Sequence, residues 1–143
     1  MDELTPEARA LRNVPFFEDL TDEDLERMVR IGERRRYQAG QDIVTRGEVG
    51  GGLFVILSGT ARVETGGKAH ELKAGNFVGE MALLERRPRS ATVTAETEVE
   101  ALTIEAMHFG PFLIKNPSLA LAILNGVVAR LREVQDRLDA QGG

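Results

Sequence analysis

The chain predicts a mainly β fold with flanking helices, an antiparallel β-roll of the double-stranded β-helix or jelly-roll type. Ten of its fifteen glycines fall between residues 40 and 79, separating short runs of β-branched and aromatic residues. The runs recur at roughly 8–12-residue spacing, as in a sandwich, barrel or roll. Helical patterning is confined to the two ends. A length of 143 residues fits one domain over 1–143, with a helical lead-in over 1–30, a roll over 31–104 and closing helices over 105–141.

In the lead-in, Thr5 before Pro6 reads as an N-cap with proline at the first helical position. Thr21-Asp22-Glu23-Asp24 resembles a capping box with Asp replacing Glu or Gln, and Leu25, Met28 and Val29 follow at helical spacing. Between them, Val14-Pro15-Phe16-Phe17 is too apolar for a solvated linker and is expected to anchor the domain from beneath. Strands are expected at 42–45, 53–57, 60–64, 70–72, 91–94 and 99–104, with a hairpin turn at Thr65-Gly66-Gly67-Lys68. A short helical element follows over 105–114, where Gly110-Pro111 implies a bend or a late start. Asn116-Pro117 then opens a helix to about residue 138, with Asn as N-cap. Along it Ala120, Leu124, Val127, Leu131, Val134 and Leu138 recur at spacings of 4, 3, 4, 3 and 4. That stripe packs either on its own domain or, as its narrow polar-flanked shape favours, on a second copy as a homodimer seam.

Composition excludes several classes. There is no cysteine, hence no disulfide framework, thiolate metal site or cysteine nucleophile. With only His70 and His108, a multi-histidine metal centre is not expected either, and so neither is a metal-dependent roll enzyme. The net charge of −5 argues against a nucleic-acid partner, yet permits one buried arginine to hold a small anion. The longest apolar run is six residues, 119–124, and the start Met1-Asp2-Glu3 is acidic, so a cytoplasmic domain without membrane span or signal peptide is expected. Gly67-Lys68 lacks the rest of a phosphate-binding loop, Gly50-Gly51-Gly52 fails the dinucleotide fingerprint, and no Gly-x-Ser-x-Gly elbow exists. The chain is not expected to be an enzyme and needs no cofactor.

The informative stretch is 75–93. It reads as strand, glycine, one turn of helix, loop and a second strand. Gly79 admits a close backbone approach, and Glu80-Met81-Ala82-Leu83-Leu84 forms a short helix in which the small Ala82 keeps its amide accessible. Arg89, after Pro88, can present a bidentate fork to a phosphate, and Ser90 adds a hydroxyl and an amide. Glu80 beside an anion is unfavourable unless it accepts from a sugar hydroxyl, the arrangement that puts an acid on the ribose in dinucleotide folds. Anion grip and sugar-reading acid together point to a nucleotide monophosphate.

This stretch resembles the phosphate-binding cassette of the cyclic-nucleotide-binding domain family, which includes the catabolite activator protein, protein kinase A regulatory subunits and cyclic-nucleotide-gated channels. The family pattern stands here as Val78-Gly79-Glu80-Met81-Ala82-Leu83 and Pro88-Arg89-Ser90-Ala91-Thr92, with Val78 where phenylalanine is common. The resemblance implies a cAMP or, second, a cGMP ligand. It implies that Arg89 and the amides of Ala82, Ser90 and Ala91 hold the cyclic phosphate, that Glu80 and Gly79 hold the ribose with Met81 in the same turn, and that Val63 and Leu72 line the base. More remotely, it aligns Arg130 with an arginine that pairs the cassette glutamate, and Val134 and Gln135 with adenine contacts. The implied role is a sensor whose closing helices move on binding and act on an effector protein or an effector domain. The alternative is a degenerate roll serving as a protein-interaction module, although such a relative would be expected to lose Arg89 or Glu80.

Overall fold

Two antiparallel four-stranded sheets face each other in the computed structural model, which describes residues 4–142. The acidic start Met1-Asp2-Glu3 and the terminal Gly143 lie outside the described residues. Strands β1 (Glu33–Tyr37), β8 (Val99–Glu105), β3 (Gly52–Ser58) and β6 (Phe77–Val78) form one sheet in the order β1-β8-β3-β6. The other runs β2-β7-β4-β5, from β2 (Asp42–Val44), β7 (Thr92–Ala95), β4 (Ala61–Thr65) and β5 (Lys68–Leu72). Helices α1 (Pro6–Leu11) and α2 (Asp22–Ile31) precede the roll, and α3 (Ala106–Lys115) and α4 (Pro117–Gly142) follow it.

The unbroken apolar run at 53–57 follows from β3 being covered on both faces. Leu53 and Val55 pack towards the helices, in a core with Leu11, Phe17, Leu25, Met28, Phe109 and Leu119. Phe54 and Ile56 point the other way, into a second core between the sheets with Val63, Leu72, Val93 and Ala101. The hairpin forms as expected: Thr65 pairs with Lys68, and Gly66 and Gly67 take φ of +56° and +83°, which the two-residue turn requires.

Strand β1 was not among the expected strands, because Glu33-Arg34-Arg35-Arg36-Tyr37 has neither an apolar alternation nor a β-branched residue. It forms by adding to the edge of β8 in register, Arg36 opposite Glu100. Their side chains pair at 2.7 Å, and the Arg36 guanidinium holds the Glu100 carboxyl below the usual carboxylate range. Exposed pairs contribute only about 0.2–1 kcal/mol, so the backbone ladder is what holds the strand.

The helix ends depart from expectation in three places. Thr21 Oγ1 accepts from the Asp24 amide at 3.1 Å, but Asp24 turns to Arg27 at 3.3 Å, leaving half a capping box. Helix α3 runs through Gly110-Pro111 without a late start, and the carbonyl that Pro111 leaves free belongs to the exposed Met107. Asn116 does not cap α4 with its side chain. Its Nδ2 donates back to Phe112 O at 2.9 Å and closes α3, while its own carbonyl accepts the Ala120 amide at 3.0 Å to start α4. The chain bends by 115° there.

The expected anchor does lie beneath the domain. Val14 and Phe17 are fully buried, with residues 15–17 in a 3-10 turn. Helix α4 crosses that turn at Gly126, where a Cβ would sit 2.8 Å from the Phe16 carbonyl oxygen. Only the face carrying Leu119, Ile123 and Gly126 packs on the domain; of the proposed seam, Ala120 and Val127 are half-buried and Leu124, Leu131, Val134 and Leu138 are exposed. A side chain at Gly126 must therefore separate the helix from the turn. Gly126→Val is expected to cost about 1–3 kcal/mol and to lower the thermal midpoint by about 2–4 °C per kcal/mol. An unchanged midpoint in scanning calorimetry would mean that α4 is not seated on the turn.

Candidate functional site

Pro88 and Arg89 are clamped to the loop after β2. The Arg89 amide donates to Glu48 O and the Gly47 amide to Arg89 O, both at 2.9 Å, and Val49 bridges Pro88. Ser90 and Ala91 come next, before β7 begins, and their amides donate to nothing among the described residues. The Arg89 side chain folds inward. Its Nη2 donates to Gly52 O at 3.1 Å, and the guanidinium lies 5.8 Å from the centroid of the Phe54 ring.

Gly79, with φ of +85°, passes close above. A Cβ there would sit 2.7 Å from Arg89 Nη1 and nearer still to the Gly52 carbonyl oxygen. Both its dihedral and the space around it therefore demand glycine. The chain then makes the short helix expected there, as one 3-10 turn over Glu80–Leu83. Its closing bond runs from the Ala82 amide to Gly79 O at 3.0 Å, so the amide expected to be free for a phosphate is engaged.

These parts border a cavity of about 570 Å³, within the usual range for small-molecule sites. Val63, Leu72 and Val93 form its apolar floor on the concave face of the roll. Gly79, Glu80, Met81 and Ala82 bound one side, and Arg89, Ser90 and Ala91 bound another. Nine of the twelve site residues expected from the sequence thus meet at one cavity. The other three, Arg130, Val134 and Gln135, do not reach it: α4 leaves the domain after Gly126, and all three are exposed on its distal half. There Arg130 faces Glu133 at 3.9 Å, and Gln135 Nε2 donates to Asp139 at 3.2 Å. Sequence reasoning also passed over His70 and Thr65, which line the same cavity. The available signal was alternation, since His70 shares a strand face with Leu72 and stands opposite Val63.

The electrostatics centre on Arg89. It makes no ion pair among the described residues, with Glu80 or with any other carboxylate. Burial alone pushes its guanidinium below the ordinary arginine range, although arginine keeps its charge in proteins. The cation has lost water and gained a neutral carbonyl and a ring face. Beside it stand two unengaged amides, an arrangement suited to an anion.

Residues 34–116, more than half of the chain, match the family described as "Cyclic nucleotide-binding domain". The chain belongs to that family. It is 41% identical over 117 residues to a cyclic nucleotide-gated potassium channel of Rhizobium etli, covering 82% of this chain and 33% of the channel. It is 35% identical over 101 residues to the cAMP-dependent protein kinase regulatory subunit of Eremothecium gossypii, covering 69% and 22%. Among solved structures, the N-terminal domain of a transcriptional regulator from Streptomyces coelicolor matches with a TM-score of 0.81 at 30% identity, over 90% of this chain and 94% of that one. The chain spans a third or less of the length of these two curated relatives. The cyclic nucleotide-binding domain is a regulatory ligand-binding unit, and its β-roll is the fold seen here.

The crowding at Gly79 can be separated from its backbone strain. Gly40 also has a positive φ, +91°, but a Cβ there would meet nothing within 4 Å. Gly79→Ala and Gly40→Ala both incur about 1–2 kcal/mol of left-handed strain, and only the former must also displace Gly52 or Arg89. Gly79→Ala is expected to have the lower urea midpoint. Equal midpoints would mean that the space above Arg89 is slack.

Proposed function

We propose that this chain is a sensor for a cyclic nucleotide, cAMP in the first place and cGMP in the second. The observation that carries this reading is Arg89, a half-buried cation that, among the described residues, has no carboxylate partner and stands beside the unengaged amides of Ser90 and Ala91. A cyclic phosphodiester carries one negative charge and no titratable proton. It would take the guanidinium and both amides, with the Ser90 hydroxyl as a further donor. The Glu80 carboxylate, on the cavity wall and unpartnered among the described residues, would accept from the ribose 2′-hydroxyl. Val63 and Leu72 would lie against the base. The Ala82 amide would join only if its bond to Gly79 O yielded.

Coupling to the closing helices is supported by the start of β3. The Gly52 carbonyl accepts from Arg89, and the neighbouring Gly51 carbonyl accepts from the amide of Ala106, the first residue of α3, at 3.1 Å. An anion that draws Arg89 off Gly52 would therefore act one residue away from the root of α3. For Arg130, Val134 and Gln135 to cover a base, the helices must turn about the bend at Asn116 or come from a second copy. The exposed stripe of Leu124, Leu131, Val134 and Leu138 supports a homodimer seam. An effector protein or effector domain would receive the signal.

Titration calorimetry of the chain, stripped of bound ligand, against cAMP, cGMP and 5′-AMP tests the central claim. A cyclic nucleotide is expected to bind with micromolar affinity or better, and 5′-AMP much more weakly. Arg89→Ala is expected to lose about 2–5 kcal/mol of that affinity; a loss below about tenfold would overturn the role given to Arg89. No heat with any of the three would turn the reading to a protein-interaction module. In sedimentation equilibrium a dimer is expected, weakened by Leu131→Glu, and a concentration-independent monomer mass would defeat the seam.

A further inference from the structure

Resting on the cyclic-nucleotide reading, we propose that a second cavity binds a compact oxyanion, a phosphate or a short dicarboxylate, in competition with the nucleotide for Arg89. This cavity, of about 330 Å³, opens at the root of α3, where Gly51, Ala106 and Met107 line it. It is smaller than the nucleotide cavity and shares only Val44 and Arg89 with it. The groups that hold the Arg89 guanidinium, the Gly52 carbonyl and the Phe54 ring, line the second cavity and not the first. The guanidinium is therefore already presented to the second cavity. A volume at the low end for small-molecule sites suits a compact ligand better than a second nucleotide.

The charges on this cavity favour an anion. Arg35 lines it but is engaged, with Glu105 at 2.7 Å and Glu33 at 3.3 Å. Arg86 stands exposed on the wall. Its neighbour Arg87 pairs with Glu85 at 2.7 Å, and Arg86 itself makes no ion pair among the described residues. One further carboxylate, Glu48, lines the cavity, but it is exposed and free to turn into water. Arg86 and Arg89 thus outnumber Glu48, and guanidinium forks match the geometry of an oxyanion. The buried Thr103, on the same wall, adds a hydroxyl. A fork given by Arg89 to an anion in one cavity is lost to an anion in the other. An oxyanion in the second cavity keeps Arg89 beside Gly52, whereas a cyclic nucleotide draws it off. Each ligand therefore raises the dissociation constant of the other by the same factor.

The test is a titration of the chain with inorganic phosphate and, separately, with malonate, at an ionic strength held constant with chloride. Backbone amide shifts in nuclear magnetic resonance report where the anion sits, and calorimetry reports the cAMP affinity. Saturable shifts are expected at Gly50, Gly51 and Thr103, which line the second cavity alone, and they are expected to shrink in Arg86→Ala. The apparent dissociation constant for cAMP is expected to rise by roughly fivefold or more as the site fills. Arg86→Ala is expected to bind cAMP in chloride as wild type does and to lose most of that rise. The tighter of the two anions tells a phosphate ligand from a dicarboxylate. Shifts confined to Ser90 and Ala91, or shifts that do not saturate, would overturn the inference while leaving the cyclic-nucleotide reading intact. So would saturable binding without effect on cAMP, or an antagonism that Arg86→Ala leaves unchanged. An anion that binds at Gly50 and Gly51 in a chain that binds no cyclic nucleotide would overturn the nucleotide reading and the competition, and leave the second site standing.

Discussion

Gly51 and Gly52 are the point through which the binding cavity and the closing helices are joined. One carbonyl takes Arg89 and the other takes the first amide of α3. Both positions leave little room for a side chain. A Cβ on Gly51 would lie 2.7 Å from that of Ala106 and 3.2 Å from the Ala82 carbonyl oxygen, and one on Gly52 would lie 3.0 Å from Ile104 O. Gly79 closes over the same carbonyl. The cassette turn, the arginine and the root of α3 thus touch one dipeptide.

That dipeptide also explains how the site can be both stable and ready for a ligand. A buried guanidinium left without any partner would be strongly destabilising. The Gly52 carbonyl and the Phe54 face offset part of that cost, but both are neutral and leave the charge of the guanidinium uncompensated. An anion in the cavity would therefore compete with Gly52 for Arg89. The chain's overall charge of −5 does not oppose this, because charges beyond about 10 Å are largely screened while the Arg89 contact is local and partly desolvated.

How much of this could be read in advance follows the kind of force involved. The roll and the cassette were legible because glycines with positive φ and two-sided apolar strands leave marks in the sequence. Gly66-Gly67 and residues 53–57 are examples. Strand β1 left none, since Arg34 to Arg36 join the sheet through backbone bonds that any residue can make. Asn116 was expected as an N-cap because caps are inferred from the helix that follows, and here the preceding helix claims the side chain. The cassette residues around the cavity were legible as a motif. The state of the Ala82 amide was not, because its bond to the Gly79 carbonyl is a backbone contact that leaves no mark in the side chains of Glu80–Leu83. His70 was passed over for a related reason. Being on an exposed edge strand, it has the pattern of a surface residue until register sets it beside Val63.

The geometry of α4 constrains what its distal half can do. Successive residues turn by about 100°, so Leu124, Val127, Leu131, Val134 and Leu138 share one stripe, and Arg130 and Gln135 stand on its opposite edges, about 140° apart. A helix that buries this stripe against a second copy cannot turn both edges towards one cavity. If Arg130 and Gln135 both contact nucleotide in such a dimer, they contact different molecules, one in the helix's own domain and one in the partner's. If both contact the same nucleotide, the stripe is left in water and cannot be the seam. The exposure of Leu124, Leu131, Val134 and Leu138 weighs for the first arrangement, because an isolated helical extension is marginal in water and gains most of its stability from burying its apolar face. In that arrangement each α4 would lie between two cavities.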